Sequence, residues 1–184
     1  IYARELLTKF MSPAWRRSVT AAEIDQKLIL FTKIRPEYDD FEGAMTEVLS
    51  TVLSSPQFLY LVRSSQPPRA DEKSSVERLS DFELATRLSM FLWCSTPDDE
   101  LLTLASKGQL NHCDELTRQV QRMLADPRSQ RFSQHFVRQW LGMQLLDYLN
   151  VDRKKYPQFD RSLKEAMQEE PVAFFYEVLQ KNHS

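Results

Sequence analysis

Four basic side chains near the middle of the second half of the chain have the spacing of one helical face. Arg128, Arg131, His135 and Arg138 follow one another at intervals of three, four and three residues. Because side chains three or four apart are neighbours on an α-helix, we expect them to form one basic stripe. Such a row can bind a phosphate, an acidic glycan or an acidic protein surface. A solvated face that pairs with the acidic C-terminal helix is the alternative interpretation.

The stripe belongs to a basic stretch of a chain that is slightly acidic as a whole. Eight Arg or Lys residues and three Asp residues occur between positions 116 and 155, whereas the 184-residue chain has a net charge of −2. That total gives no overall attraction to nucleic acid or to anionic lipid. No helix-turn-helix spacing or Gly/aromatic signature accompanies the basic stretch, so we predict no nucleic-acid binding. No run of 18 apolar residues is present, and we predict no membrane span.

A second group of residues could line a ligand cleft. Arg87, Trp93, Asp98 and Trp140 combine a cation, an anion and two large aromatic rings. Small-molecule sites are typically apolar pockets with a few polar groups of this kind. The alternative is structural, because aromatic side chains at helical spacing usually pack in a core. In that case the guanidinium of Arg87 would need a carboxylate partner such as Glu83 or Asp98.

The other titratable residues predict neither catalysis nor a metal site. Asp98, Asp99 and Glu100 could ligate a cation, but acids in the first turn of a helix are explained by the helix dipole. Glu165 and Glu169 share a helical face without the Glu-x-x-His pattern of a di-iron bundle. The three histidines are scattered, and no nucleophile elbow or Gly-rich phosphate loop occurs. We therefore assign no catalytic residue, metal ligand or cofactor to this chain.

The two cysteines, Cys94 and Cys113, show neither C-x-x-C nor C-x-x-C-H spacing. Neither a zinc site nor covalent attachment of haem is therefore indicated. Both residues fall near predicted helix ends, where a disulfide between them is possible. Two buried free thiols are the favoured interpretation.

Capping residues and a 3.6-residue period predict helices along most of the chain, which has only three glycines. Residues 3–11 are predicted to end a first helix and residues 12–19 to form a loop. Residues 63–78 contain a Pro-Pro pair, seven charged residues and one apolar residue beyond alanine, so they predict a polar linker. The starts predicted before the linker are a capping box at Thr20–Glu23, Asp40, and Ser55-Pro56.

Five further helices are predicted beyond the linker. The first has a capping box at Ser80–Glu83 and is apolar on most sides, so it should be the central buried helix. The second starts at residues 96–100 with Pro97 in the first helical position and stops at Gly108. The remaining starts are predicted at Asn111, Asp126 and Asp160, and the core of the bundle is predicted around Leu88, Phe91, Trp93, Phe136 and Trp140.

These elements predict an all-α protein: a small helical unit followed by a helical bundle of about five helices. The predicted domains are residues 1–62 and residues 79–184, joined by the linker at 63–78. The first five residues lack the Met, the basic start and the apolar run of a signal peptide, so no targeting signal is predicted in this segment.

Several long motifs carry a resemblance to a family. RLSDFELATRLSMFLWCSTPDDELL, RMLADPRSQ, HFVRQWL and YPQFDRSLKEAMQEE, all after residue 77, resemble a domain of unknown function. That domain occurs in large exported proteins with a planctomycete-type cytochrome c domain. FMSPAWRRSVTAAEID and LSSPQFLYLV, before the linker, are similar to a smaller domain of unknown function that precedes it in those proteins. The chain departs from the pattern at residues 12–18 and at Pro171.

The resemblance implies a place in the periplasm or cell envelope and a covalent haem on another domain of the parent protein. It implies other domains of the parent chain as partners, with an acidic protein or an envelope polymer as further possibilities. It also implies that the larger domain continues beyond residue 184, which would leave an apolar face exposed near Phe174, Phe175 and Val178. It assigns no catalytic residue.

Three functions remain open at this point. The leading hypothesis is a non-catalytic helical module for scaffolding, docking or ligand binding within an exported cytochrome c-type protein. The second is part of an envelope enzyme that acts on polysaccharide or on a redox substrate. The third is an intracellular regulatory or nucleic-acid-binding helical protein. Burial of Arg87, Asp98, Arg128 and Trp140 in a satisfied core would favour the module, whereas a concave solvent-reached cleft around them would favour the enzyme.

Overall fold

The computed structural model describes residues 2–61, 79–152 and 154–181, and all regular structure within them is helical. The prediction of an all-α protein is thereby confirmed, and five α-helices follow residue 78, as predicted. The linker predicted at 63–78 lies outside the described residues. The α-helices are α1 (Tyr2–Trp15), α2 (Ala21–Ile34), α3 (Phe41–Leu53), α4 (Pro56–Leu59), α5 (Asp81–Trp93), α6 (Asp99–Ser106), α7 (Cys113–Ala125), α8 (Gln130–Trp140) and α9 (Arg161–Lys181). Short 3-10 turns occupy Arg35–Glu37, Pro127–Ser129 and Met143–Tyr148.

The described residues divide into two compact units. The first unit comprises residues 2–61, 79–90 and 95–117, and the second comprises residues 91–94, 118–152 and 154–181. Helices α5 and α7 therefore contribute residues to both units.

The core of the first unit lies among α1, α2 and α3, which pack pairwise on one another. Helix α1 presents apolar side chains at intervals of four, three and one residue, which places them on one face. The small helical unit predicted for this part of the chain thus has three main helices and one apolar core. Its buried members are Leu7, Met11, Ala14, Trp15, Ile24, Met45, Val48 and Val52.

Side-chain caps begin the helices at most of the predicted positions. The Thr20 hydroxyl accepts from the Glu23 amide at 3.3 Å, and the Thr20 amide donates to the Glu23 carboxylate at 2.8 Å. Ser80 and Glu83 form the same reciprocal pair, at 3.3 and 2.9 Å. Each pair satisfies backbone amides that lack a partner inside the helix. Helix α3 begins next to Asp40, as predicted, and the Asp40 carboxylate accepts from the Gly43 amide. The cap predicted for α9 is also present, with Asp160 accepting from the Leu163 amide.

Three helix boundaries differ from the prediction. Helix α1 continues through Pro13 to Trp15, so the loop predicted to begin at residue 12 begins at residue 16. Helix α6 begins after Asp98, whose carboxylate accepts from the Leu101 amide at 3.1 Å, and Pro97 therefore precedes the helix. Asn111 does not cap α7, because its side-chain amide donates to the Leu79 carbonyl instead. At α6 the local hydrogen bond to Asp98, rather than the position of Pro97, therefore determines where the helix begins.

The predicted core of the second half of the chain is partly wrong. Trp93 is fully buried and Leu88 is half-buried, but Phe91, Phe136 and Trp140 are exposed. On α8 the buried residues are Ser133 and Val137, which lie one position after Phe132 and Phe136. Both sets recur every four residues, so periodicity alone does not distinguish them. Helix α9 packs against α8, and its Phe175 lies beside Phe132 and Phe136.

Both cysteine thiols are free, and both side chains are exposed. The prediction that they are buried is therefore wrong. Cys94 directly follows the last residue of α5 and has a left-handed backbone conformation, with a φ of 49°.

Candidate functional site

Trp93 is the centre of the polar arrangement that includes the predicted site residues. It is the last residue of α5 and has no exposed surface. Its indole Nε1 donates a hydrogen bond of 2.9 Å to the carbonyl oxygen of Met123. A buried indole needs such an acceptor, because an unsatisfied N–H away from water is costly. Trp93 is thus a structural anchor for α7 and not a wall of an open cleft.

Arg128 lies directly over the Trp93 ring and is held there by Asp126. The guanidinium carbon is 3.5 Å from the ring centroid, a cation–π distance. The Nε and Nη2 atoms of Arg128 donate to the two oxygens of Asp126 at 2.9 and 2.8 Å. Asp126 also accepts from the Arg128 amide at 2.8 Å, which caps the 3-10 turn at Pro127–Ser129. The guanidinium of Arg128 is therefore engaged on both its face and its edge.

The charge of Asp126 is stabilised by this arrangement. The hydrogen bond from the Arg128 side chain lowers the pKa of Asp126 from 3.8 to about 2, with smaller contributions from the Arg128 amide and from the charge of Arg122. A carboxylate that accepts charge-assisted hydrogen bonds favours its ionised form. Asp126 therefore remains a base too weak to accept a proton near neutral pH.

The other members of the basic stripe are more open. Arg131 donates to the Trp93 carbonyl at 3.3 Å, and Arg138 donates to the Gln168 side chain at 3.4 Å. His135 is exposed. Arg128 precedes α8, whereas the other three lie on it, so the stripe combines one engaged arginine with three surface residues. Its predicted role in binding an anion stays a prediction.

The predicted cleft residues are distributed over both units. Arg87 and Asp98 belong to the first unit, while Trp93 and Trp140 belong to the second. Arg87 is exposed, and Asp98 serves as the N-cap of α6. Within the second unit, Trp93 is buried and Trp140 is 67% exposed. The cleft itself stays a prediction.

A row of aromatic rings leads along α8 to the surface at Trp140. The Phe132 ring is 5.3 Å from Phe136, and Phe136 is stacked on Trp140 at 5.7 Å. Phe175 of α9 lies 6.0 and 5.4 Å from Phe132 and Phe136, within the usual range for aromatic pairs. The indole of Trp140 is thus supported from one side by packed rings and is open to solvent on the other.

The chain that follows Trp140 exposes further large apolar side chains. We call Trp140, Leu141, Leu145, Tyr148 and Leu149 the exposed apolar segment. Leu145 is 72% exposed and Tyr148 is 85% exposed, although both belong to a regular 3-10 turn. Residues three apart on such a turn point the same way, so these two share its outer side. Sequence reasoning missed this segment as a site, although ten residues rich in Trp, Leu and Tyr without a cap were a usable signal.

Basic residues lie on both sides of the exposed apolar segment in sequence. Arg131 and Arg138 precede it, and Lys154 and Lys155 follow it, all of them exposed. The amides of Lys155 and Tyr156 both donate to the Asp152 carbonyl, at 3.0 and 2.9 Å, which forms a tight turn around the lysines. Between residues 131 and 155 the sequence has five Arg or Lys and two Asp. In sequence, the exposed apolar segment is therefore flanked by a local excess of positive charge.

An open groove of about 470 Å³ lies along α9 and has the opposite charge. Its lining includes Phe174, which is exposed as expected, between two glutamates. Phe175 and Val178, expected to be exposed with it, are half-buried. Glu177 at the rim is paired with Lys181 at 2.7 Å. The lining residues are Glu170, Pro171, Ala173, Phe174 and Glu177.

Among the described residues, no group of three or more His, Cys, Asp or Glu side chains is arranged to hold a metal ion. In the same part of the chain, no helix has the length and apolar character needed to cross a membrane.

Comparison with known proteins identifies two families. Residues 79–184 match the family described as PSD4, protein of unknown function (DUF1592). Residues 2–62 match the family described as PSD5, protein of unknown function (DUF1595). No curated protein and no solved structure matches the chain. The predicted pair of domains of unknown function is thereby confirmed.

Proposed function

We propose that this chain, which belongs to the PSD4 family of proteins of unknown function, is a non-catalytic docking module of a larger exported protein. The single observation that carries this proposal is the exposed apolar segment. Soluble proteins rarely leave several large apolar side chains exposed together unless the surface binds a partner. Neither core packing nor helix capping accounts for the exposure of these side chains, whereas docking to a partner does.

The side chains that could take part in chemistry are held by internal hydrogen bonds and ion pairs, which favours docking over catalysis. Arg128 is stacked on Trp93 and paired with Asp126, and Asp98 caps α6. Groups held in this way position helices, and their lone pairs and protons are committed to neighbouring atoms. The lowered pKa of Asp126 makes it unsuited to general acid–base work near neutral pH.

The larger context follows from the resemblance of the long motifs. In this proposal the parent protein is exported to the periplasm or cell envelope and has a covalent c-type haem on another domain. The present chain supplies no attachment site for that haem, since neither cysteine lies in a C-x-x-C-H sequence. Its contribution is to position the parent protein or its haem domain.

Hydrogen–deuterium exchange tests the docking role. We would compare residues 140–149 in this chain alone and in the parent protein within its native cell envelope. Docking predicts slower exchange of this segment in the parent, because covered amides exchange only when the contact opens. A segment in the first unit with comparable exposure, such as that around Ile29, is the control. Equal exchange of residues 140–149 in both samples would contradict docking.

A visible absorption spectrum and a denaturing pyridine–haem assay test the context. Both would be made on the parent protein purified from the envelope fraction of its native cells. A covalent c-type haem is the expected result. Absence of haem, or recovery of the parent only from the cytoplasm, would remove the proposed context while leaving the docking test intact.

A further inference from the structure

We propose that the exposed apolar segment docks on the surface of an anionic lipid membrane. This inference rests on the proposed docking function and names the partner class for it. It concerns attachment to one face of a bilayer, with Trp140, Leu145 and Tyr148 entering the interface and neighbouring basic residues facing lipid headgroups.

The shape of the segment fits insertion into an interface. In the 3-10 turn Met143–Tyr148, Met143 is buried and Leu146 is half-buried, whereas Leu145 and Tyr148 point outward. With three residues per turn, these two pairs lie on different sides of the turn, about 120° apart. The inner pair fixes the turn to the unit, and the outer pair projects from it. The outer side chains therefore protrude and do not line a groove.

The residue types fit the boundary between headgroups and acyl chains. Trp and Tyr have a large apolar ring and one polar atom, and they are enriched at the membrane–water interface. Leucine adds apolar area that becomes buried on binding. Trp140 is supported from behind by Phe136 at 5.7 Å, so its exposed ring is held in place before binding.

The surrounding charge favours anionic over neutral lipid. Arg138 before the segment and Lys154 and Lys155 after it are exposed. Basic residues beside an inserted apolar group are attracted by the negative surface potential of an anionic leaflet. The net charge of −2 conceals this local excess, because acidic residues are concentrated elsewhere in the chain. A protruding aromatic and aliphatic surface with a basic border matches lipid better than a protein, whose anchor residues usually fill a pocket.

Trp140 provides a direct spectroscopic reporter. The chain has three tryptophans, of which Trp15 and Trp93 are buried and Trp140 is exposed. We would titrate the chain with vesicles of phosphatidylcholine alone and with vesicles of equal parts phosphatidylcholine and phosphatidylglycerol. We expect a blue shift of tryptophan emission and co-sedimentation with the anionic vesicles, and a Trp140→Phe variant should bind without the shift.

Matched variants separate apolar from electrostatic contributions. Leu145→Ser with Tyr148→Ser should weaken binding to anionic vesicles by roughly 10-fold or more. Ile29→Ser with Tyr60→Ser is the control, since these side chains are 70% and 66% exposed in the first unit. Lys154→Gln with Lys155→Gln should weaken binding by roughly 30-fold at low salt. Lys9→Gln with Lys33→Gln removes the same charge from exposed positions of the first unit and should have little effect.

The outcomes distinguish this inference from the docking function. Binding to anionic vesicles that is lost in the Leu145/Tyr148 variant and retained in the Ile29/Tyr60 variant supports the inference. Equal binding to neutral and anionic vesicles, or no binding to either, overturns it. If residues 140–149 are protected from hydrogen exchange in a vesicle-free sample of the parent protein, the partner is another domain. That result would support the docking function and contradict lipid binding. If neither the parent nor anionic vesicles protect the segment, both proposals fail.

Discussion

Two helix corners, one in each unit, use the same set of interactions around a buried tryptophan. Helix α1 ends at Trp15 and α5 ends at Trp93, and each is followed by a residue with positive φ, Arg16 or Cys94. In both cases the N-cap of the next helix comes five residues after the tryptophan. Each indole donates to an oxygen at 2.9 Å and has an arginine over its ring. Each of these arginines is paired with a carboxylate that also caps a helix or turn.

The two corners differ in what surrounds this shared arrangement. Arg17 lies 5.2 Å from the Trp15 ring, whereas Arg128 lies 3.5 Å from the Trp93 ring. At the first corner the left-handed residue, Arg16, is buried and donates to the carbonyls of Gln57, Phe58 and Tyr60 at 3.0–3.2 Å. At the second corner the left-handed residue, Cys94, is exposed. The comparison shows that one backbone geometry serves a fixed corner in the first unit and leaves an open thiol in the second.

The largest expected effects come from removing the two buried indoles. We expect Trp93→Ala and Trp15→Ala each to lower the free energy of unfolding by about 3–5 kcal/mol, through lost burial and an unfilled cavity. Trp140→Ala is the control, and its effect should lie within about 0.5 kcal/mol because the ring is on the surface. Urea denaturation followed by circular dichroism measures all three. A loss of unfolding free energy for Trp93→Ala as small as that for Trp140→Ala would contradict the central role of Trp93 at the second corner.

Glycine at the left-handed positions should have opposite effects at the two corners. A φ near +50° disfavours any residue with a Cβ, so Cys94→Gly should stabilise by about 0.5–1 kcal/mol. Arg16→Gly gains the same relief of backbone strain but loses the charge-assisted bonds from one guanidinium to three carbonyls, which together contribute about 2–4 kcal/mol. We therefore expect a net loss of about 1–3 kcal/mol. Denaturant midpoints of the two variants give the comparison.

Arg16→Ala serves as the control for backbone strain in this pair. It removes the guanidinium and keeps the Cβ, so it should be less stable than Arg16→Gly by about 1 kcal/mol. Stabilisation by Arg16→Gly would show that its carbonyl contacts contribute little, and the proposed difference between the corners would disappear.

Removing the charge of each paired carboxylate should have a smaller effect. Glu23→Gln and Asp126→Asn keep a side-chain oxygen for capping but weaken the pair with Arg17 or Arg128. We expect losses of about 0.5–1.5 kcal/mol each, because the pairs are partly exposed to solvent. Asp126→Asn should be the more costly, because Arg128 is closer to its ring. Equal losses of unfolding free energy in the two variants would show that the distance between the arginine and the ring does not affect stability.

The sequence predicted the caps better than the core. The reciprocal pairs at Thr20–Glu23 and Ser80–Glu83 are local, since their partners are three residues apart, and both are confirmed. The left-handed turn after Trp15 was not predicted: the first helix was expected to end at residue 11, and no glycine marks the turn. In the structure the amides of Arg16 and Arg17 donate to Pro13 and Ser12 at 3.3 and 3.2 Å, and these bonds complete the helix.

The candidate site was harder to predict for a different physical reason. The aromatic residues of α8 and the pair Ser133 and Val137 share a four-residue period, and only tertiary packing decides which of the two lines is buried. That packing depends on residues more than 30 positions away, such as Phe175. The exposure of Trp140 could therefore not be predicted from the residues next to it in the sequence. Arg131, His135 and Arg138 lie on α8, whereas Arg128 precedes that helix and is engaged by the distant Trp93.

Acid titration provides the smallest and most specific test of the two corners. Hydrogen bonds from arginine lower the pKa of Glu23 from 4.5 and that of Asp126 from 3.8, both to about 2. Because the folded values lie below the ordinary ones, the ionised carboxylates stabilise the folded state above about pH 5, and this stabilisation is lost as the pH falls toward 2. The Glu23→Gln/Asp126→Asn double variant should therefore lose less stability than the unmodified chain over that interval. The measurement is the denaturant midpoint at a series of pH values, with Asp39→Asn, an exposed carboxylate in the first unit, as the control. Parallel pH profiles for the double variant and the unmodified chain would mean that neither carboxylate is held by its arginine in solution.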